Sequence, residues 1–208
     1  MVDESAKLDL VLDAAQSQFI RYGFKRVTMG EIAAAADMSR PALYLLYSNK
    51  EAIFVAVFER FIHAALNEIR AGLKAHDDLT SQLRFALDIW TVRPYELLAQ
   101  SPDARELIDC THGFAEQVAI SAYEEFEAII ARLIKPHARN LRATKLTAAK
   151  LAHLFALALR GIKDDARDVD ELRSSLEDLI AVTVLTVRPA TAQTKLPPTS
   201  KPRRRSAA

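Results

Sequence analysis

The chain is poor in the residues on which β-sheet domains and disulfide scaffolds depend. Only 5 of its 208 residues are glycine, 7% are aromatic, and Cys110 is the single cysteine. The scarcity of glycine and aromatic residues argues against β-sandwiches and barrels, and the many Ala and Leu residues predict an all-α fold. A single cysteine excludes an intrachain disulfide framework and any all-cysteine metal site.

The chain has no long apolar run, and its first residues do not have the pattern of a secretory signal. No run approaches the roughly 18 apolar residues of a membrane span, and segment 1–5 is acidic where a signal peptide would be basic. We therefore expect a cytoplasmic protein with no membrane partner. The sequence has no Gly-rich phosphate loop and no paired histidines at zinc-binding spacing. We predict that it is not an enzyme and that it uses no cofactor or metal.

Charge is distributed unevenly along the chain. The formal net charge is +1, but residues 188–208 contain six Lys or Arg, no acid and half of the eight prolines. The remaining 187 residues carry 22 basic and 27 acidic side chains. The basic tail has few large apolar residues, which predicts disorder. Its Arg203–Arg205 run is consistent with a solvated tail or with phosphate contacts.

Apolar spacing and helix caps predict about nine helices. Gly23 should end a first helix over residues 8–22, because glycine tolerates a positive φ. Thr28 and Glu31 form a capping box for a short second helix. A tight turn at Asp37 then leads to a third helix, which is capped by Ser39 and has Pro41 in its first turn.

Longer helices should follow. Residues 48–51 form a second capping box, which opens a helix to about Ala75. Further helices are predicted near 79–99, 102–112, 114–135, 144–164 and 168–187. Pro94 should kink or break the first of these, and Pro136 should end the third. The Val/Thr-rich stretch 182–187 continues a helical stripe, so we expect a helix there rather than a strand.

The second and third predicted helices have the layout of a helix-turn-helix, in which the second helix enters the DNA major groove. Arg reads guanine, apolar side chains contact thymine methyls, and Tyr hydroxyls suit phosphates. Leu43 should point inward, and residues 21–50 contain five basic and two acidic side chains. The residues that we expect at the DNA are Thr28, Met29, Ser39, Arg40, Pro41, Ala42, Tyr44, Leu45, Tyr47 and Lys50.

Three segments, VTMGEIA at 27–33, SRPALY at 39–44 and SNKEAIF at 48–54, resemble the DNA-binding domain of the TetR (tetracycline-repressor) family. The resemblance covers residues 5–65 and places the helix-turn-helix at 28–47. It differs from the family pattern at Asp37, where Gly is usual, at Leu46, where His or Tyr is frequent, and at Tyr47, where Phe is common. It implies a homodimeric transcriptional regulator, usually a repressor, that releases a roughly palindromic operator when a small molecule binds.

We expect residues 66–187 to form the ligand-binding and dimerisation domain. Ligand pockets are mostly apolar with a few placed polar groups. The candidates for the inducer site are Phe85, Trp90, Cys110, Phe114 and Tyr123, and the alternative for each is a purely structural role, such as packing in the core. Without an inducer, the alternative is a DNA-binding regulator controlled by a partner protein. A large closed pocket would favour the first hypothesis, and a filled core the second.

The helix near residues 146–159 is apolar almost all round, which predicts burial on more than one side. Together with the apolar stripe of the last helix, it suggests a dimer interface built from two helices of each subunit. The interface candidates are Leu154, Ala158, Leu176, Leu179 and Val184. The two DNA-reading helices should then lie about 34–36 Å apart, which is one turn of DNA.

Overall fold

A computed structural model describes residues 4–99, 107 and 113–187. Nine α-helices lie within these ranges: α1 (Glu4–Tyr22), α2 (Met29–Ala35), α3 (Arg40–Leu46), α4 (Lys50–Gly72), α5 (Leu79–Leu87), α6 (Arg93–Ala99), α7 (Glu116–Ile134), α8 (Ala148–Asp165) and α9 (Val169–Val187). No strand occurs among the described residues, and the predicted all-α fold is confirmed. None of the described helices could span a bilayer. Apart from Leu107, the predicted helix 102–112 and the tail 188–208 lie outside the described residues.

Two clusters of buried side chains organise these helices. The first lies among α1 to α4 and includes Val11, Ile32, Leu43 and Ile53, each with no exposed surface. The second joins the C-terminal part of α4 to α5, α7, α8 and α9. Because α4 contributes to both clusters, it is one connection between the N-terminal and C-terminal regions.

Two left-handed residues confirm the predicted helix boundaries near the N-terminus. Gly23 has φ 77°, and its N–H donates to the Phe19 carbonyl at 2.9 Å. Asp37 has φ 52°, which is a strained conformation for a residue with a Cβ. These two residues let the chain reverse after α1 and after α2, as the sequence predicts.

The boundary predicted at residues 48–51 is shifted by one residue. Asn49, rather than Ser48, caps α4, because its side-chain oxygen accepts from the Ala52 N–H at 2.8 Å.

The break predicted at Pro94 is present as a five-residue π-helix, Asp88–Val92. Its last bond runs from the Arg93 N–H to the Asp88 carbonyl. This wider turn precedes Pro94, which has no N–H to donate.

The C-terminal helices follow the prediction with one correction at their connection. Pro136 does end the α-helix, but the chain continues as a 3-10 helix, Lys135–Thr144. As a result α8 begins at Ala148, four residues later than predicted, with Thr147 as its cap. The segment 182–187 is helical, as predicted, and it completes α9.

Candidate nucleic-acid interface

The capping box predicted at the start of α2 is present. The Thr28 hydroxyl accepts from the Glu31 N–H at 3.3 Å, and the Glu31 carboxylate accepts from the Thr28 N–H at 2.8 Å. Bonds from the Thr28 hydroxyl and N–H to the carboxylate lower the pKa of Glu31. The Glu31 carboxylate is therefore ionised at neutral pH. In this form it completes the capping box that fixes the first turn of α2.

A four-residue connection, 36–39, sets α3 against α2. The Met38 N–H donates to the Ala33 carbonyl at 3.0 Å, and the Asp37 N–H donates to the Ala34 carbonyl at 3.2 Å. Ser39 then caps α3 by accepting from the Ala42 N–H at 3.3 Å. These bonds satisfy backbone groups at the end of α2 and the start of α3, so the connection is closely defined.

Leu43 anchors α3 in the first core, with no exposed surface. Its burial turns the opposite side of the helix to solvent, where Leu45 is 88% and Tyr44 is 44% exposed. The predicted residues Arg40 and Pro41 are also exposed, and Ala42 is half-buried. The exposed surface of α3 is therefore the surface that the sequence predicted for DNA.

Arg40 and Tyr44 form a side-chain pair on this surface. The Arg40 guanidinium lies 5.6 Å from the centre of the Tyr44 ring, and its Nη2 lies 3.5 Å from the Tyr44 hydroxyl. Residues four apart on a helix face each other, which explains the contact. The pair keeps the guanidinium close to the helix while leaving it accessible to a base edge or a phosphate.

Two residues predicted at the DNA are turned toward the protein interior. Met29 is only 7% exposed and packs in the first core, so its side chain is not presented on the surface. The prediction failed here because the position just after the Thr28 cap points inward. Tyr47 is half-buried, and this burial raises the pKa of its phenol.

The Lys50 ammonium, which we expected at a DNA phosphate, has internal partners. It donates to the Phe24 carbonyl at 2.6 Å, to the Val27 carbonyl at 2.7 Å and to the Lys25 carbonyl at 3.4 Å. It also lies 4.3 Å from the centre of the Phe24 ring. Lys50 thus ties the first turn of α4 to the connection between α1 and α2.

This connection presents basic side chains that were not singled out from the sequence. Lys25 and Arg26 are exposed, and Arg21 is exposed at the end of α1, over the Tyr22 ring. The only signal for them was the excess of basic residues between positions 21 and 50. Basic side chains beside a helix-turn-helix are suited to phosphates, which supply the salt-dependent part of DNA affinity.

The structure separates the predicted ligand-binding residues into different places. Trp90 stacks on Phe126 at 4.6 Å and meets the Tyr123 ring edge-on at 5.7 Å, so Trp90 and Tyr123 do come together. Phe85 lies elsewhere, against His76 at 4.5 Å. Cys110 lies outside the described residues.

Phe114, a candidate for the inducer site, belongs to an aromatic cluster of the N-terminal region. Its ring lies 5.1 Å from Phe24 and 5.3 Å from Phe54, which are both core residues of the N-terminal region. The neighbouring Ala115 is fully buried in the same core. Phe114 therefore joins the segment before α7 to the helix-turn-helix region, and sequence spacing gave no indication of this long-range contact.

The predicted dimer residues are only partly available for an interface. Leu154 is 51% exposed and Ala158 is exposed, but Leu176 is 3% exposed and packs in its own subunit's core. Leu179 and Val184 are half-buried against the same core. Three large apolar residues that the prediction did not choose are also exposed on α8 and α9: Leu157 at 48%, Val182 at 61% and Leu185 at 63%.

Helices α2 and α3, with the outer surface of α3 exposed, have the arrangement of a helix-turn-helix. Comparisons with known proteins agree with this assignment. Residues 11–57 match the profile of bacterial regulatory proteins of the tetR family. The chain is 32% identical over 78 residues to the HTH-type transcriptional activator FasR of Mycolicibacterium smegmatis. That match covers 38% of this chain and about a third, 36%, of FasR.

A second relative aligns over more of the chain. The uncharacterised HTH-type transcriptional regulator Mb2274c of Mycobacterium bovis is 28% identical over 169 residues, which cover 79% of this chain and 84% of the relative. Residues 11–57 of this chain are therefore similar to the DNA-binding region of the TetR family of transcriptional regulators.

Solved structures share the fold along most of their length. A transcriptional regulator from Cytophaga hutchinsonii has a TM-score of 0.64 at 22% identity, with 87% of this chain and 96% of that chain covered. FadR from Thermus thermophilus, a TetR-family repressor in complex with lauroyl-CoA, has a TM-score of 0.54 at 20% identity. The alignment covers 91% of this chain and 98% of FadR.

Proposed function

We propose that the protein is a homodimeric, ligand-responsive transcriptional repressor that binds a roughly palindromic operator with α3 in the major groove. The observation that carries this proposal is the outward surface of α3, where Arg40, Tyr44 and Leu45 are exposed while Leu43 holds the helix in the core. A helix presented in this way is the reading element of a helix-turn-helix. The DNA partner would place the protein in the cytoplasm.

Basic groups beside α3 support phosphate binding. Arg21, Lys25 and Arg26 are exposed around the end of α1, and Lys50 fixes the connection that carries two of them. We therefore assign Lys50 a positioning role instead of the direct phosphate contact expected from the sequence. Lys25 and Arg26 replace it as the proposed phosphate contacts.

The exposed apolar surfaces of α8 and α9 support a dimer. We propose an interface through Leu154, Leu157 and Ala158 of α8 with Val182 and Leu185 of α9. Exposed leucine and valine are unfavourable in water, and a self-complementary apolar patch is the usual basis of a two-fold dimer. The dimer would set the two copies of α3 one DNA turn apart.

The helix α4 provides a path from a ligand to the DNA. It begins at Lys50, beside the helix-turn-helix, and ends at Gly72, where Phe85 packs against it. A ligand that binds better to a conformation with the wrong spacing between the two α3 helices would release the operator. We propose that an apolar part of this ligand contacts Trp90 and Tyr123.

The second candidate function is a regulator controlled by a partner protein instead of a ligand. One observation favours it, because the Trp90–Phe126 stack fills the interior between α7 and the π-helix. Two clefts among the described residues are open to solvent and occupy about 220 and 280 Å³. An inducer site at Trp90 would then require the aromatic stack to open.

The experiment that tests the function has two parts. Selection from random duplex DNA should yield a two-fold symmetric sequence that the protein binds in fluorescence anisotropy. Lauroyl-CoA is the ligand probe, since a protein of this fold binds it. Quenching or enhancement of the fluorescence of Trp90, the only tryptophan, with loss of operator binding would support the ligand-responsive function. Selection without any enriched sequence would contradict the proposal.

A further inference from the structure

The centre of the outward face of α3 is apolar. Residues two positions apart on a helix point to roughly opposite sides, so Pro41 and Leu45 lie opposite the buried Leu43. They are one helical turn apart and share one face. Leu45 is 88% exposed, which is the highest value among the large hydrophobic residues described. A leucine in this position has no role in the packing of its own domain.

The polar groups of α3 lie to one side of this apolar centre. Arg40 and Tyr44 are paired through the guanidinium and the ring, and both lie on the same side of the line that joins Pro41 and Leu45. The part of α3 that projects furthest from the core therefore offers a hydrocarbon surface instead of a hydrogen-bonding group. Among the four bases, only thymine presents a methyl group in the major groove.

We propose that Leu45 is a specificity-determining residue that contacts the C5-methyl group of a thymine in each operator half-site. This inference rests on the proposed function and names the base chemistry that α3 reads. Contact with the methyl group removes apolar surface of both partners from water. A cytosine at the same position would instead present an amino group, which the leucine would desolvate without offering an acceptor.

Uracil substitution tests this contact directly, because deoxyuridine pairs like thymidine and lacks only the methyl group. Each thymine of a selected operator is replaced in turn by deoxyuridine, and affinities are measured by fluorescence anisotropy. We expect one symmetry-related thymine pair at which loss of each methyl group weakens binding by about fourfold. Leu45→Ala should bind the parent operator more weakly and show no further loss at that thymine pair.

Leu10→Ala is the matched control, because Leu10 is an exposed leucine of the same region, 52% exposed on α1. This variant should retain the full sensitivity to deoxyuridine. The proposal is overturned if no thymine shows the effect, or if Leu45→Ala remains as sensitive as the parent. In both cases operator binding itself persists, so the proposed function stands. If no operator can be selected, the proposed function and this inference fail together.

Discussion

The helix-turn-helix region and the C-terminal region stabilise their helices in different ways. Helices α2 and α3 have seven residues each, which is too short for independent stability, and they depend on side-chain caps and on buried residues such as Ile32 and Leu43. The C-terminal helices α7 to α9 have 18 or 19 residues. They pack along much of their length, with exposed ion pairs such as Arg84–Glu177 between helices.

This difference suits the two proposed tasks. Local backbone and cap bonds fix the orientation of α3, so its outward surface is presented in one geometry. The C-terminal region is held by apolar packing and by half-exposed ion pairs, each worth only about 0–1 kcal/mol. These are the helices that we propose to shift relative to one another when a ligand binds. The N-terminal region is thus suited to reading a fixed target, and the C-terminal region to responding.

The largest expected effect comes from breaking the proposed dimer. Leu157→Glu would place an unpaired charge in the apolar face of α8, which is strongly unfavourable in an interface. Sedimentation velocity should show a monomer, and operator affinity should fall by about 10²–10⁴-fold through loss of two-site binding. The control is Leu10→Glu, which should remain dimeric. A monomeric Leu157→Glu variant that keeps full operator affinity would contradict the proposed spacing mechanism.

The next largest effect is on the free energy of unfolding, and it compares one aromatic residue from each region. Phe126 has no exposed surface, and Phe126→Ala should lower the free energy of unfolding by about 3–5 kcal/mol. Phe114 is 43% exposed and makes two aromatic contacts, so Phe114→Ala should cost only about 1–2 kcal/mol. Urea denaturation at one fixed protein concentration checks both values. An equal loss in the two variants would mean that Phe114 is more deeply buried than described.

Substitution of Lys50 distinguishes a positioning role of this side chain from a direct contact with a DNA phosphate. Lys50→Met removes charge-assisted bonds to the Phe24 and Val27 carbonyls, so the free energy of unfolding should fall by about 1.5–3 kcal/mol. A direct phosphate contact would instead leave stability almost unchanged and lower the salt slope of DNA binding by about one. Arg26→Gln is the comparison variant, for which we expect the lower salt slope without loss of stability.

The smallest expected effect is at the turn before α3. Asp37 has φ 52°, a conformation that glycine adopts without strain. Asp37→Gly should therefore be neutral or should raise the free energy of unfolding by up to about 1 kcal/mol. Thermal denaturation followed by circular dichroism measures this change. A clear loss of stability would reveal a bond of the Asp37 carboxylate that compensates for the strain.

The same contrast between regions explains what could be predicted from the sequence. Gly23, Thr28, Asp37 and Ser39 act on backbone groups within a few residues, so their roles could be recognised from spacing alone. The exposed surface of α3 followed from the inward position of Leu43. The general order of helices in the C-terminal region was predictable for the same reason, since helical periodicity is also local.

Apart from Met29 and the shifted helix starts, the failures involve contacts between distant parts of the chain. Lys50 reaches carbonyls about 25 positions away, and Phe114 packs on residues of the N-terminal core. Leu176 was chosen for the dimer interface because α9 carries an apolar stripe, but that stripe faces the subunit's own core. Periodicity indicates that a face is apolar and does not indicate which partner covers it.

The Arg40→Ala variant tests whether α3 reads a specific DNA sequence. Affinity is measured for the selected operator and for an unrelated duplex of equal length, at the same salt concentration. We predict a loss of about 1–3 kcal/mol on the operator and a much smaller loss on the unrelated duplex, because a base contact operates only at its own sequence. Equal losses on both duplexes, or no loss on either, would contradict the account.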